Sequence, residues 1–258
     1  MGSLIPLQVE DLLLALGLIV LAIGLSAWQK LGLEGSLLLA AGRTGLQLTI
    51  VGYVLAIVFE LNHPWPVLAV ILLMLTIAAK VAHNRISSGI PHLLPLVWGA
   101  ICVSTGLTLM YANLLIIRPE VWYDPQYLVP LAGIVLGNAM NGAALAGERL
   151  VSMISIRRLE IETHLSLGAT PAVAMATYRQ EAIRAGMLPT LNTMMVVGVV
   201  TLPGIITGQM LGGTKPLDAA AYQMVIMFML AFVTLLTTLL VTTGICRQVF
   251  NPAAQLTF

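Results

Sequence analysis

"ETHLSLGATPAVAMATYRQEAIRAGMLP", Glu162 to Pro189, is a polar interruption between two long apolar runs. It reads as two short helices separated by Leu167-Gly168-Ala169-Thr170-Pro171. Gly168 can end the first, because glycine reaches left-handed backbone angles at little cost. Thr170 then offers an N-cap and Pro171 a preset first helical residue. The second helix is expected over about 171–185, ending near Gly186 with Pro189 after it. On it Ala174, Tyr178, Ala182 and Ala185 share one face, and Thr177, Gln180 and Arg184 another. Upstream, "ERLVSMISIRRLEIETHLSLG" can carry the preceding apolar helix out of the membrane, with Arg158 and Glu162 spaced to pair along it. An amphipathic helix lying on the membrane surface is one reading of this segment. A corner that docks a cytoplasmic partner is the other.

Composition explains why such a segment stands out. Of 258 residues, 59% are apolar and 9% charged, against about 25% charged in a soluble domain. So few polar groups cannot cover a water-exposed surface, and an integral membrane protein follows. A net charge of +1 leaves no footprint for nucleic acid. No Lys or Arg precedes the first apolar run in "MGSLIPLQVEDLLL", which argues against a cleaved signal peptide. Cys102 and Cys246 lie far apart in apolar runs and read as small core residues.

A spanning helix needs about 20 mostly apolar residues. Seven segments qualify: roughly 10–28, 40–60, 65–82, 93–117, 128–147, 190–211 and 220–246. The second carries Arg43 and Gln47 in its first turns, and the sixth is expected to kink or break at Pro203-Gly204. The expected fold is therefore all-α and polytopic, one transmembrane permease domain over 1–258 with a cytoplasmic segment at 149–189. Placing that segment in the cytoplasm puts ten of the twelve basic residues on the inner side. Only Arg118 and Lys215 remain outside. The bias orients the chain with its N-terminus out and its C-terminus in.

The segment from Glu162 to Gly168 resembles the start of the cytoplasmic signature of ABC-transporter permeases, in which a Glu lies six residues before a Gly. Thr163 and His164 stand where the importer pattern has small residues, which points away from binding-protein-dependent import. A longer resemblance spans "NAMNGAALAGERL" and "LPTLNTMMVVGVVTLPGIITGQMLGGTKPLDAAAYQMVIMFML". On these motifs the chain is similar to Fet-type iron-export permeases and plant aluminium-tolerance permeases. The resemblance implies a multi-pass permease of the cell inner membrane, linked to iron export and oxidative-stress resistance. It also implies a homodimer working with two copies of a separate ATPase. The contact with that ATPase would then fall on Glu162, Leu167, Gly168, Ala169, Thr170, Pro171, Tyr178 and Arg184.

The residues support this division of labour independently. A P-loop needs Gly-Lys-Ser/Thr, and the three lysines stand in "QKL", "AKV" and "TKP". The chain is thus not expected to be an enzyme or to bind a cofactor; ATP and magnesium belong to the partner. Polar side chains inside spans are costly and mark candidate pathways. Asn138 and Asn141 share a face of the fifth span, while Asn192, Met194, Met195 and Gln209 flank the break in the sixth. Helix-to-helix hydrogen bonding for the amides and packing for the methionines are the plainer alternatives. Gly133-x-x-x-Gly137 and Gly204-x-x-x-Gly208-x-x-x-Gly212 suit close helix contact. His63, His83, His92 and His164 lack metal-ligand spacing, so the metal ligands, if any, are unknown. Two rival functions remain open, a membrane scaffold or regulator that binds a cytoplasmic partner and a permease for a non-metal substrate. A secondary transporter is disfavoured, because the third to sixth spans carry no central Asp or Glu.

Overall fold

The computed structural model describes residues 9–86, 89–251 and 255–256. Met1–Gln8, read above for a signal peptide, and the last two residues lie outside them. The helices are α1 Val9–Trp28, α2 Glu34–Leu61, α3 Pro64–Ile86, α4 Leu93–Tyr111, α5 Pro125–Ile156, α6 Arg158–Ser166, α7 Pro171–Ala174, α8 Ala176–Val196, α9 Gly204–Leu211 and α10 Pro216–Gln248. A π-helical stretch, Ala112–Ile117, continues α4. Among the described residues six helices are long and apolar enough to cross a membrane: α1, α2, α3, α4 with its π extension, α5 and α10.

The expected sixth span is built differently. Its first part belongs to α8, which runs without interruption from the polar segment through Pro189 to Val196. The second polar helix therefore does not end at Gly186. Pro189 removes one backbone donor, a loss that helices packed among neighbours in a membrane tolerate. The interruption comes at Val197–Pro203, where Gly198 adopts a left-handed φ of +83° and donates to the Thr201 carbonyl at 2.9 Å. Pro203 and Gly204 stand at its far edge, where α9 begins.

The chain forms two compact units, one up to Asn62 together with Leu211–Gly213, the other His63–Met210 with Thr214–Phe258. The first contains the α1–α2 hairpin. Its turn uses left-handed Lys30 and Gly32, and the Ser26 hydroxyl donates to Glu34 at 2.8 Å. Arg43 lies more than two turns inside α2 and is exposed, because the helix starts at Glu34 and not near residue 40.

In the second unit α5 is central, packed on α3, α4, α8 and α10. Its glycines admit different neighbours. Gly133 and Gly147 face Met74 and Ile86 of α3, and Gly142 faces Thr234 and Thr238 of α10. At Gly186 of α8, alone among the described glycines, an added Cβ would meet backbone as well as side chains. A Cβ there would lie 2.8 Å from Thr238 Cγ2, 2.9 Å from Ala146 Cβ and 2.9 Å from the Gly142 carbonyl oxygen. In contrast Gly137, Gly204 and Gly208 have nothing within 4 Å among the described residues. Within this chain close approach is made at Gly133, Gly142, Gly147 and Gly186, and of the Gly-x-x-x-Gly residues Gly133, Gly137, Gly204 and Gly208 only the first takes part.

Hydroxyls fill the remaining seam. Ser104 and Thr108 of α4, Thr190 of α8, and Thr234, Thr237, Thr238 and Thr242 of α10 are all buried. The Ser104 and Thr237 hydroxyls meet at 2.6 Å, and those of Thr190 and Thr234 at 3.4 Å. Several also donate to a carbonyl one turn back, as Thr237 does to Val233 at 2.7 Å. Each hydroxyl is thereby satisfied without water.

The crossing makes a direct prediction. Gly186→Ala should lower the unfolding midpoint of the detergent-purified protein, with an overpacking cost of about 1–3 kcal/mol, because a carbonyl cannot swing aside as a side chain can. Gly137→Ala should be neutral or stabilising by about 0.5–1 kcal/mol. Equal midpoints for the two variants would show that α8 does not approach α5 this closely.

Candidate functional site: a polar corner between α5 and α8

α5 ends at Ile156, and Arg157 turns the chain with φ −104° and ψ 21° into α6. Arg158 and Glu162 pair at 2.9 Å along α6, and Arg157 and Glu160 at 3.5 Å. Gly168 then takes a φ of +91°, with its amide donating to the Leu165 carbonyl and that of Ala169 to His164, both at 3.0 Å. This is the left-handed helix end that glycine favours. Thr170 occupies the N-cap position of α7 in an extended conformation, but its hydroxyl makes no capping bond; its carbonyl accepts from Val173 and Ala174. Pro171 is the first helical residue.

The corner is held on the bundle by its inward residues. Ile161, Met175 and Ala182 are fully buried, and Ala174 nearly so. Burial of Ile and Met side chains stabilises by roughly 1.5–3 kcal/mol each, so this is a folded element and not a tether. Its outward residues include large apolar ones. Leu167 is 81% exposed and Val173 66%. A short apolar ridge therefore projects at the turn, flanked by the charged pairs of α6.

Beneath the ridge is a groove of about 460 Å³ lined by Arg149, Arg157, Glu160, His164, Tyr178 and Glu181, among others. Arg149 of α5 reaches Glu181 of α8 at 3.8 Å. Burial, together with a hydrogen bond to Glu160 and the negative charge of that carboxylate, raises the Tyr178 phenol above its ordinary value. Tyr178 thus stays protonated and links α8 to α6. Seven of the eight residues expected to touch an ATPase gather at this corner. Arg184 lies further along α8, exposed on its outer face.

The expected pathway residues are more dispersed. Asn138 is half-buried and donates to the Ile134 carbonyl of its own helix at 3.0 Å. Asn141 is exposed and accepts from Arg85 of α3 at 3.4 Å. Asn192 is exposed, Met194 packs partly into the core, and Met195 is 72% exposed. The Gln209 side-chain oxygen is enclosed without a hydrogen-bond partner. Among the described residues no hydrogen bond joins any two of these six, and no three His, Cys, Asp or Glu side chains converge as metal ligands. Sequence reasoning missed Gly186 as a packing point, Gly198 as the residue that turns the chain, and the hydroxyl seam. The last was visible as "VTLLTTLLVTTG", Val233–Gly244, whose threonines recur at helical spacing.

Comparison with known proteins places this arrangement in a family. A family described as an uncharacterised protein family, UPF0014, matches residues 9–250. A UPF0014 membrane protein of Synechocystis is 53% identical, with 98% of each chain covered. The probable iron export permease protein FetB of Escherichia coli is 36% identical over 96% of this chain and 94% of its own. The protein ALUMINUM SENSITIVE 3 of Arabidopsis thaliana is 32% identical over 94% of this chain and 87% of its own. No solved structure matches. With several helices long and apolar enough to cross a membrane and these relatives, the chain is a multi-pass membrane protein that belongs to the UPF0014 family.

Proposed function

We propose that this chain is the membrane subunit of an ABC exporter, moving iron or a similar metal species out of the cell with ATP hydrolysed by a separate subunit. The observation that carries the proposal is the α6–α7 corner. It combines a rigid, buried base with an exposed apolar ridge and charged flanks, as expected of an element that passes force between two proteins. The similarity to a probable iron export permease supplies the substrate class. The absence of a Gly-Lys sequence supports a partner that binds ATP and magnesium.

In this reading the chain sits in the inner (plasma) membrane, N-terminus out and C-terminus in, as a homodimer with two ATPase chains; beside the six long apolar helices, α8 and α9 together would make the seventh crossing that this orientation requires. Movement of the docked corner would be transmitted through α8, because one unbroken helix joins the corner to the interruption at Val197–Pro203. The exposed amides of α5 and α8 would face the route, and freed carbonyls at the interruption could act as oxygen ligands.

Docking at the corner is tested by Gly168→Val and Glu162→Ala. A β-branched residue at φ +91° is strained by roughly 1–2 kcal/mol, so the turn should re-form differently. Both variants should insert normally yet lose co-purification with the co-expressed ATPase; undiminished capture by both would refute docking here.

Orientation is tested by single cysteines in a chain whose Cys102 and Cys246 are replaced by Ala. Glu120→Cys should react with an impermeant thiol reagent in intact cells, and Thr177→Cys only after permeabilisation. The reverse pattern would place the corner outside.

The route is tested by ATP-driven iron uptake into inverted vesicles. A purely structural amide bond between membrane helices is worth about 0.6 kcal/mol, too little to unfold the protein on its loss. Asn141→Ala should therefore abolish most transport while expression and ATPase capture stay normal. Met195→Leu keeps volume and removes sulfur, so its transport reports on sulfur ligation alone. Wild-type transport by both variants would leave these residues as packing elements.

A further inference from the structure

A second cavity, of about 640 Å³, opens on the other side of α7. Its walls come from two separated parts of the chain, the α7–α8 start and the last turns of α10. Arg179 and Arg247 both line it, with Thr170, Thr243 and Asn251 as further polar groups and no acidic residue. The three ion pairs of the described residues, Arg149–Glu181, Arg157–Glu160 and Arg158–Glu162, leave both arginines out. The Arg179 Nε is buried and lacks any hydrogen-bond partner among the described residues. A guanidinium is always charged, and a buried donor on it without an acceptor is costly. Arg247 lines the same cavity from an exposed position, and an anion held between the two guanidiniums would meet both.

We infer that the cavity between α7 and the end of α10 binds a phosphate group through Arg179 and Arg247. Forked guanidinium donors match phosphate oxygens in pairs. The hydroxyls of Thr170 and Thr243 can complete the set; the Asn251 amide beside them is already bonded to Gln255, at 3.0 Å from its nitrogen and 2.8 Å to its oxygen. The rest of the wall is apolar, with Met175, Ala172 and Phe250 beside the polar groups. A bare anion would leave much of that volume and apolar surface unused. A phosphodiester carrying a glycerol backbone would not. The cavity also lies at the C-terminal end of α10, a helix long and apolar enough to cross a membrane, and basic side chains at the ends of such helices favour anionic lipid headgroups. A phospholipid headgroup is thus the favoured source and free phosphate the alternative. The site does not depend on the transport reading, so either can fail alone.

The test is thermal unfolding of the full-length protein in a phosphate-free, non-ionic detergent. Short-chain phosphatidylglycerol, inorganic phosphate and a matched neutral diacylglycerol are titrated separately. Saturable stabilisation by phosphatidylglycerol that phosphate does not reproduce identifies the headgroup; stabilisation by phosphate alone identifies the free anion. Either should weaken at least tenfold in apparent affinity in Arg247→Gln, whose exposed side chain is not needed for folding, and in Arg179→Gln if that variant folds. Lys80→Gln, exposed on α3, should bind as the wild type does. No stabilisation by either probe beyond the diacylglycerol control, or equal affinity in Arg247→Gln and wild type, overturns the assignment.

Discussion

The second unit depends on the absence of one side chain. At Gly186 the backbone of α8 approaches α5 and α10 so closely that even a methyl group would meet the Gly142 carbonyl. In lipid, helices gain little from hiding apolar surface from one another, and association rests on close packing of small residues and on interhelical hydrogen bonds. Gly142, Ala146 and Gly186 supply the first and the threonines of α10 the second. The crossing also lies between the polar corner and the interruption that begins at Val197. One contact therefore sets the position of both ends of α8.

The corner follows from the same continuity. A polar loop between membrane helices could be loose, but here α6 and α7 bury Ile161, Ala174 and Met175, and charged groups link them sideways through Glu160, Tyr178, Arg149 and Glu181. Leu167 and Val173 are left exposed at the turn itself, and Ile156 and Leu159 upstream are exposed as well.

The polar groups of the membrane helices divide into two sets with different physical standing. The hydroxyls of Ser104, Thr108, Thr190, Thr234, Thr237, Thr238 and Thr242 are buried and bonded inside the chain, whereas Thr105 of α4 and the Gln223 side-chain oxygen of α10 are buried without a partner among the described residues. The amides of Asn141 and Asn192 point out of the second unit. Such groups are expensive against hydrocarbon, and Asn141 offsets part of that cost by accepting from Arg85 of α3.

Composition and apolar run length sufficed to read a polytopic all-helical chain, since no other arrangement satisfies its backbone in lipid. Local chemistry was equally legible at the corner: Gly168 and Pro171 act through their own backbone preferences, and Arg158 with Glu162 through helical spacing. What tertiary structure decided was the meaning of residues whose local signals conflict with packing. Gly186 and Pro189 carry the local signs of a helix end, yet α8 runs through both, because the glycine is needed for contact and neighbouring helices tolerate the missing donor of the proline. Gly198, in a run of valines, gave no comparable sign of a turn. The exposed faces of Asn141 and Asn192, and the meeting of Arg179 with Arg247 across 68 positions of sequence, were likewise beyond any local pattern. They arise from how helices distant in sequence are brought together.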